Sequence, residues 1–111
     1  MLNRQIDKML TEKLGQPHRA VKKVSAWSLN SNVDIVLETN YEATNSASLA
    51  NFWLPEMYMD KCDGLNVVHY PEGKGRHSNT YPAKGLERGK AAIKVKLTSM
   101  AAAEKLLSSI T

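Results

Sequence analysis

The sequence predicts a single α+β domain over residues 1–111. Its expected architecture is an about four-stranded, mostly antiparallel sheet with N- and C-terminal helices packed on one face. Three observations predict it. Apolar residues recur at helical spacing at both ends of the chain, one face is apolar and the other mostly polar at 33–38 and 91–97, and the element order reads α-β-β-(α)-β-β-α. With 111 residues, 42% of them hydrophobic, the chain is long enough to bury roughly 65% of its unfolded surface without help from a metal or disulfide.

The first helix is set by Leu2, Ile6, Met9, Leu10 and Leu14, which fall on one face, with Arg4, Asp7, Lys8, Thr11 and Glu12 on the other. Gly15 offers a left-handed stop and Pro17 prevents resumption. Two antiparallel strands follow at 21–29 and 33–39, joined at Asn30-Ser31-Asn32, where asparagine tolerates positive φ. The middle supports two readings. Thr44-Asn45-Ser46 would cap a short helix through Ala47, Leu49, Ala50, Trp53 and Leu54, stopped by Pro55; the same stretch would otherwise run extended toward Met57-Tyr58-Met59. Leu65 to Tyr70 reads as a short strand. From Ala91 to Leu97, Ala91, Ile93, Val95 and Leu97 lie on one side and Lys94 and Lys96 on the other. Thr98 or Ser99 then caps a last helix, whose Met100, Ala103, Leu107 and Ile110 share a face. Such a sheet is expected to leave its second face free.

Charge is distributed unevenly. The net is +4, but residues 71–96 hold seven basic and two acidic side chains, a local balance of +5 that leaves −1 for the rest. A localised positive field points to an anionic partner. Most of that charge lies in residues 71–90, a 20-residue connection with four of the six glycines and five basic side chains. Connections beyond about 12–15 residues are usually functional or disordered. Glycine lets backbone N–H groups approach a ligand, Arg and Lys neutralise phosphate, and Asn, His and Tyr add sugar, base-edge or stacking contacts. The expectation is therefore a non-catalytic nucleic-acid-binding domain, for DNA or RNA. Lys74, Arg76, Lys84, Arg88 and Lys90 would contact phosphates, His77, Asn79 and Tyr81 would discriminate, and Lys94 and Lys96 would extend the positive surface.

Two other functions compete. A protein-interaction or regulatory module would use the acidic, aromatic segment 41–63, where Tyr41, Phe52, Trp53 and Tyr58 accompany Glu42, Glu56, Asp60 and Asp63. The Ala101-Ala102-Ala103 run allows close helix packing within the chain or in a homodimer. A small metal-independent ribonuclease would combine His69, His77 and Lys74 as acid, base and transition-state clamp, if two imidazoles met across one phosphate. Trp27 and Trp53 read as packing residues.

Cofactor and metal chemistry find little support. Gly73-x-Gly75-x-x-Ser78 lacks the third glycine of a dinucleotide fingerprint, and no P-loop occurs. Glu72 and Lys74 with Asp60 or Asp63 have the residue types of a metal-dependent nuclease, but Glu72 falls in a Pro-Gly turn rather than on a rigid strand. Neither C-x₂-C nor H-x₃-H is present, so no zinc site is expected. The single cysteine, Cys62, excludes an intramolecular disulfide framework. No stretch approaches the about 18–20 apolar residues that span a bilayer, and the first residues lack an apolar leader core. A cytoplasmic protein with no membrane partner and no cofactor is expected.

Overall fold

Among the described residues six strands, not four, form one sheet in the order β1-β2-β3-β4-β6-β5, and every neighbouring pair is antiparallel. In the computed structural model, which describes residues 2–39 and 49–111, the elements are α1 (Leu2–Leu14), β1 (Arg19–Ala20), β2 (Val24–Asn30), β3 (Val33–Glu38), β4 (Ala50–Pro55), β5 (Asn66–Tyr70), β6 (Ala92–Leu97) and α2 (Met100–Ile110). Short 3₁₀ turns occupy Glu56–Lys61 and Ser78–Thr80. The chain is one α+β domain with a helix at each end.

Helix α1 follows its apolar stripe, burying Leu2, Ile6, Met9 and Leu10. It ends at Gly15, whose φ of +88° suits a residue without a Cβ and whose N–H donates to Thr11 O. Helix α2 starts at Ser99, whose side chain accepts from Ala102 N, and buries Ala103, Leu106 and Leu107. Ala103 is thus spent on packing within the chain. Both helices cover one face of the sheet, closing over Trp27, Ile35, Leu37, Phe52, Leu54, Ile93, Val95 and Leu97. Among the described residues no helix is long and apolar enough to cross a membrane.

The sequence pattern misses one strand and leaves another open between helix and strand. Strand β1 has only two residues, too few to show a period. Strand β4, Ala-Asn-Phe-Trp-Leu-Pro, was open to a helical reading because its alternation is erased. Phe52 and Leu54 are buried under the helices while Trp53 is buried on the opposite face. The helix over Ala50, Trp53 and Leu54 is therefore a strand, and its proposed cap at Thr44-Asn45-Ser46 lies outside the described residues, as do Tyr41, Glu42 and Ala47. The β2–β3 turn also forms by another route. Among the described residues only glycines have positive φ, and Asn30 acts through its side chain, with Oδ1 accepting from Asn32 N at 2.9 Å.

The second sheet face is not free. Ala83 and Leu86, from the long connection after β5, pack onto Val24, Ala26, Val36, Trp53 and Ala92 as a second, smaller core. The connection lies over one half of that face and leaves the other half open.

Candidate nucleic-acid interface

The long connection is held down as a folded cover. It proceeds by tight turns, with Lys74 N donating to Pro71 O, Thr80 N to His77 O, Ala83 N to Thr80 O, Leu86 N to Ala83 O and Lys90 N to Glu87 O. Buried Asp34 anchors its middle. Oδ2 accepts from Lys84 N at 2.9 Å, Asp34 N donates to Lys84 O at 2.9 Å, and Oδ1 meets His18 Nε2 at 3.2 Å. Gly85 follows with φ +87°, where a Cβ would come within 2.9 Å of Pro55 Cγ, so close seating on the sheet requires glycine there.

Arg76 organises this cover. Its Nε donates to Thr80 Oγ1 at 3.2 Å, Nη1 to Lys90 O at 2.8 Å, and Nη2 to the carbonyls of Leu86 and Glu87. The guanidinium also lies 5.1 Å from the centre of the Tyr81 ring. Burial lowers its pKa from the ordinary arginine value, opposed by the neighbouring Tyr81 and Glu87. The planar fork of five donors suits several carbonyls at once. Arg76, expected at a phosphate, is instead committed to turns 10 and 14 residues away.

Other expected site residues are similarly engaged. Asn79 accepts from Arg19 through both its backbone oxygen (2.8 Å) and Oδ1 (3.3 Å), which ties the cover to β1. Its own N–H donates to His77 Nδ1 at 3.2 Å. Tyr81 OH donates to Arg76 O and accepts from Arg76 N, both at 3.2 Å. Lys84 Nζ reaches Ser31 O at 3.4 Å, and Lys90 pairs with Glu87 at 3.3 Å. Arg88 is exposed, with its guanidinium 4.5 Å from the Tyr81 ring centre.

The open half is built from β6 and β5 and borders the cover along β4, where Trp53 and Pro55 are buried, and at buried Ala92. Register aligns Asn51, Lys96 and Asn66 in one row, and Trp53, Lys94 and Val68 in the next. A third row holds Pro55, Ala92 and Tyr70. Because Ala92 is small, the Trp53 and Tyr70 rings meet at 5.0 Å between centroids, tilted by 47°. Lys94 Nζ lies over both rings, 5.7 and 5.8 Å from their centres, and Lys74 Nζ lies 5.3 Å from that of Tyr70. Lys96 continues the line along β6. Among the described residues, no carboxylate forms an ion pair with Lys74, Lys94 or Lys96. Glu38, two strands from Lys96, is turned to Trp53 Nε1 (2.7 Å) and Asn51 Nδ2 (3.5 Å). No family model, curated protein or solved structure matches the chain.

The grouping differs from that expected along the sequence. Lys74, Lys94 and Lys96 come together, whereas Arg76, Asn79, Tyr81 and Lys84 belong to the cover's own bonding. Tyr70, Trp53 and Asn66 join the site only through strand register. The nuclease constellations do not assemble. His69 points to the helix side of β5 and pairs with Glu56, while His77 belongs to the cover on the opposite face. Among the described residues no three His, Cys, Asp or Glu groups approach one another as metal ligands. Cys62 is buried, and desolvation followed by the charge of Asp60 raises its thiol pKa, the reverse of nucleophile activation. Of the aromatic residues expected on the 41–63 surface, Phe52, Trp53 and Tyr58 are buried and Tyr41 lies outside the described residues.

Proposed function

We propose that the chain binds nucleic acid without catalysing a reaction on it, using the open half of the second sheet face. The carrying observation is that Lys74 and Lys94 lie over Tyr70 and Lys96 continues their line along β6, with no carboxylate partner among the described residues. Three ammonium groups along one strand and the adjoining turn form a line of positive charge suited to a phosphate backbone. Arg88 and Lys90, at the exposed margin of the cover, extend the field beyond that line. Arg76, Asn79 and Lys84 support it indirectly by holding the cover in place.

The test is a titration against labelled single- and double-stranded DNA and RNA at two salt concentrations, with each probe checked for cleavage. Binding that weakens steeply with salt, leaves the probe intact and falls in Lys94→Gln/Lys96→Gln supports the reading. Absence of binding at low salt would overturn it and favour a protein partner at exposed Met57 and Met59, which lie among Glu56, Asp60 and Asp63.

A further inference from the structure

We infer that the ligand is a single strand and that Tyr70 holds one of its bases. This rests on the reading of the open face as a nucleic-acid interface. The face crosses three strands, about 10 Å, and the step from Lys96 to the Tyr70 row is four residues, about 13 Å. That area accommodates two or three nucleotides. Reading a duplex major groove takes a helix or a two-stranded ribbon inserted into it. Both helices of this chain lie on the other side of the sheet. A sheet surface carrying an aromatic ring and an exposed amide instead suits splayed bases, which stack on the ring and bond through their edges.

Tyr70 fits that task. Trp53 packs beside its ring at 5.0 Å, and small Ala92 between their strands leaves room for the pair. The ammonium groups over Tyr70 are long, flexible and weakly held there, so an arriving phosphate draws them off and a base takes their place on the ring. Asn66, exposed beside Lys96 on the neighbouring strand, offers both a donor and an acceptor to a base edge. Asn51 has already spent its amide nitrogen on Glu38.

The experiment compares three probes by fluorescence anisotropy on the full chain: a single strand of about eight nucleotides, an abasic strand of the same length, and a hairpin duplex with the same number of phosphates. The base-bearing strand is expected to bind on the order of tenfold tighter than the abasic strand, and tighter than the duplex. Its affinity should fall with salt at a log–log slope of about −2, for three phosphates on a single strand. Tyr70→Ala should bring the strand down to the abasic level, with Tyr70→Phe restoring it. Where Tyr70→Ala fails to fold, the abasic comparison on the unaltered protein decides. Equal affinity for base-bearing and abasic strands, or tighter binding of the duplex, overturns this inference while the nucleic-acid reading stands. Failure of all three probes to bind at low salt overturns both.

Discussion

The covered and open halves of the second sheet face carry the same kinds of residue and use them differently. Under the cover, Arg76 is consumed by four acceptors of its own chain, and Tyr81 closes a turn by exchanging hydrogen bonds with the backbone of Arg76. On the open half, Lys94 and Lys74 rest on Tyr70 with no acceptor bonded among the described residues. A basic side chain beside an aromatic therefore does not by itself mark a binding surface. What decides is whether backbone carbonyls lie within its reach. The rigid guanidinium fork serves the covered half, whereas the flexible lysine ammonium, needing one counter-charge, remains available on the open half.

The largest expected effect would break this comparison if it failed. Arg76→Ala leaves several carbonyls without their donor and should cost about 3 kcal/mol, lowering Tm by more than about 10 °C in thermal unfolding. An unchanged Tm would show that the cover does not depend on Arg76. Gly85→Ala forces a Cβ onto positive φ and against Pro55, and should cost about 2 kcal/mol in denaturant titration. On the open half, Lys94→Gln/Lys96→Gln should cost about 1 kcal/mol of stability or less. The same pair should make the salt dependence of nucleic-acid binding shallower by a log–log slope of about 1.4. A stability loss matching that of Arg76→Ala would erase the distinction between the halves.

The smallest effect is acidic. Hydrogen bonding with its own backbone amide, and then with Lys90 and Gly85 N–H, holds the Glu87 carboxyl below the ordinary glutamate range, against a smaller desolvation effect. For a depressed acid the stabilisation is complete above the unfolded pKa and is lost as pH falls through the folded one. The side chain is about half exposed, so screening keeps the loss below about 0.5 kcal/mol. Comparing Tm at neutral pH and at about pH 3.5 should show a slightly smaller acid-induced fall in Glu87→Gln than in the parent.

Elements whose apolar residues keep a helical or alternating spacing were legible in the sequence. Helix α1 and its Gly15 stop, the hairpin of β2 and β3, the lysine-bearing alternation of β6 and the Ser99 cap all follow from local periods and terminal residues. Burial on both faces concealed β4, because Phe52 and Trp53 face different cores and no polar residue separates them. The cover was hidden for another reason. It has only Ala83 and Leu86 as buried apolar anchors, while its main fastenings are long-range bonds such as Arg19 to Asn79 and Asp34 to Lys84. The charged segment was visible, but not its division into structural and available cations, since that division depends on carbonyls brought close by turns.

The Asp34–Lys84 clasp spans 50 residues and the Arg19–Asn79 bond spans 60, which bears on the order of events during synthesis. The β2–β3 hairpin leaves the ribosome well before the segment that covers Val24, Ala26 and Val36. At about 5–20 residues per second, that interval is on the order of 3–10 s. During it, the nascent hairpin presents bare apolar side chains beside a carboxylate that still lacks its Lys84 donor. The growing chain is then at its most vulnerable to misassociation, and emergence of residues 76–86 brings that period to an end.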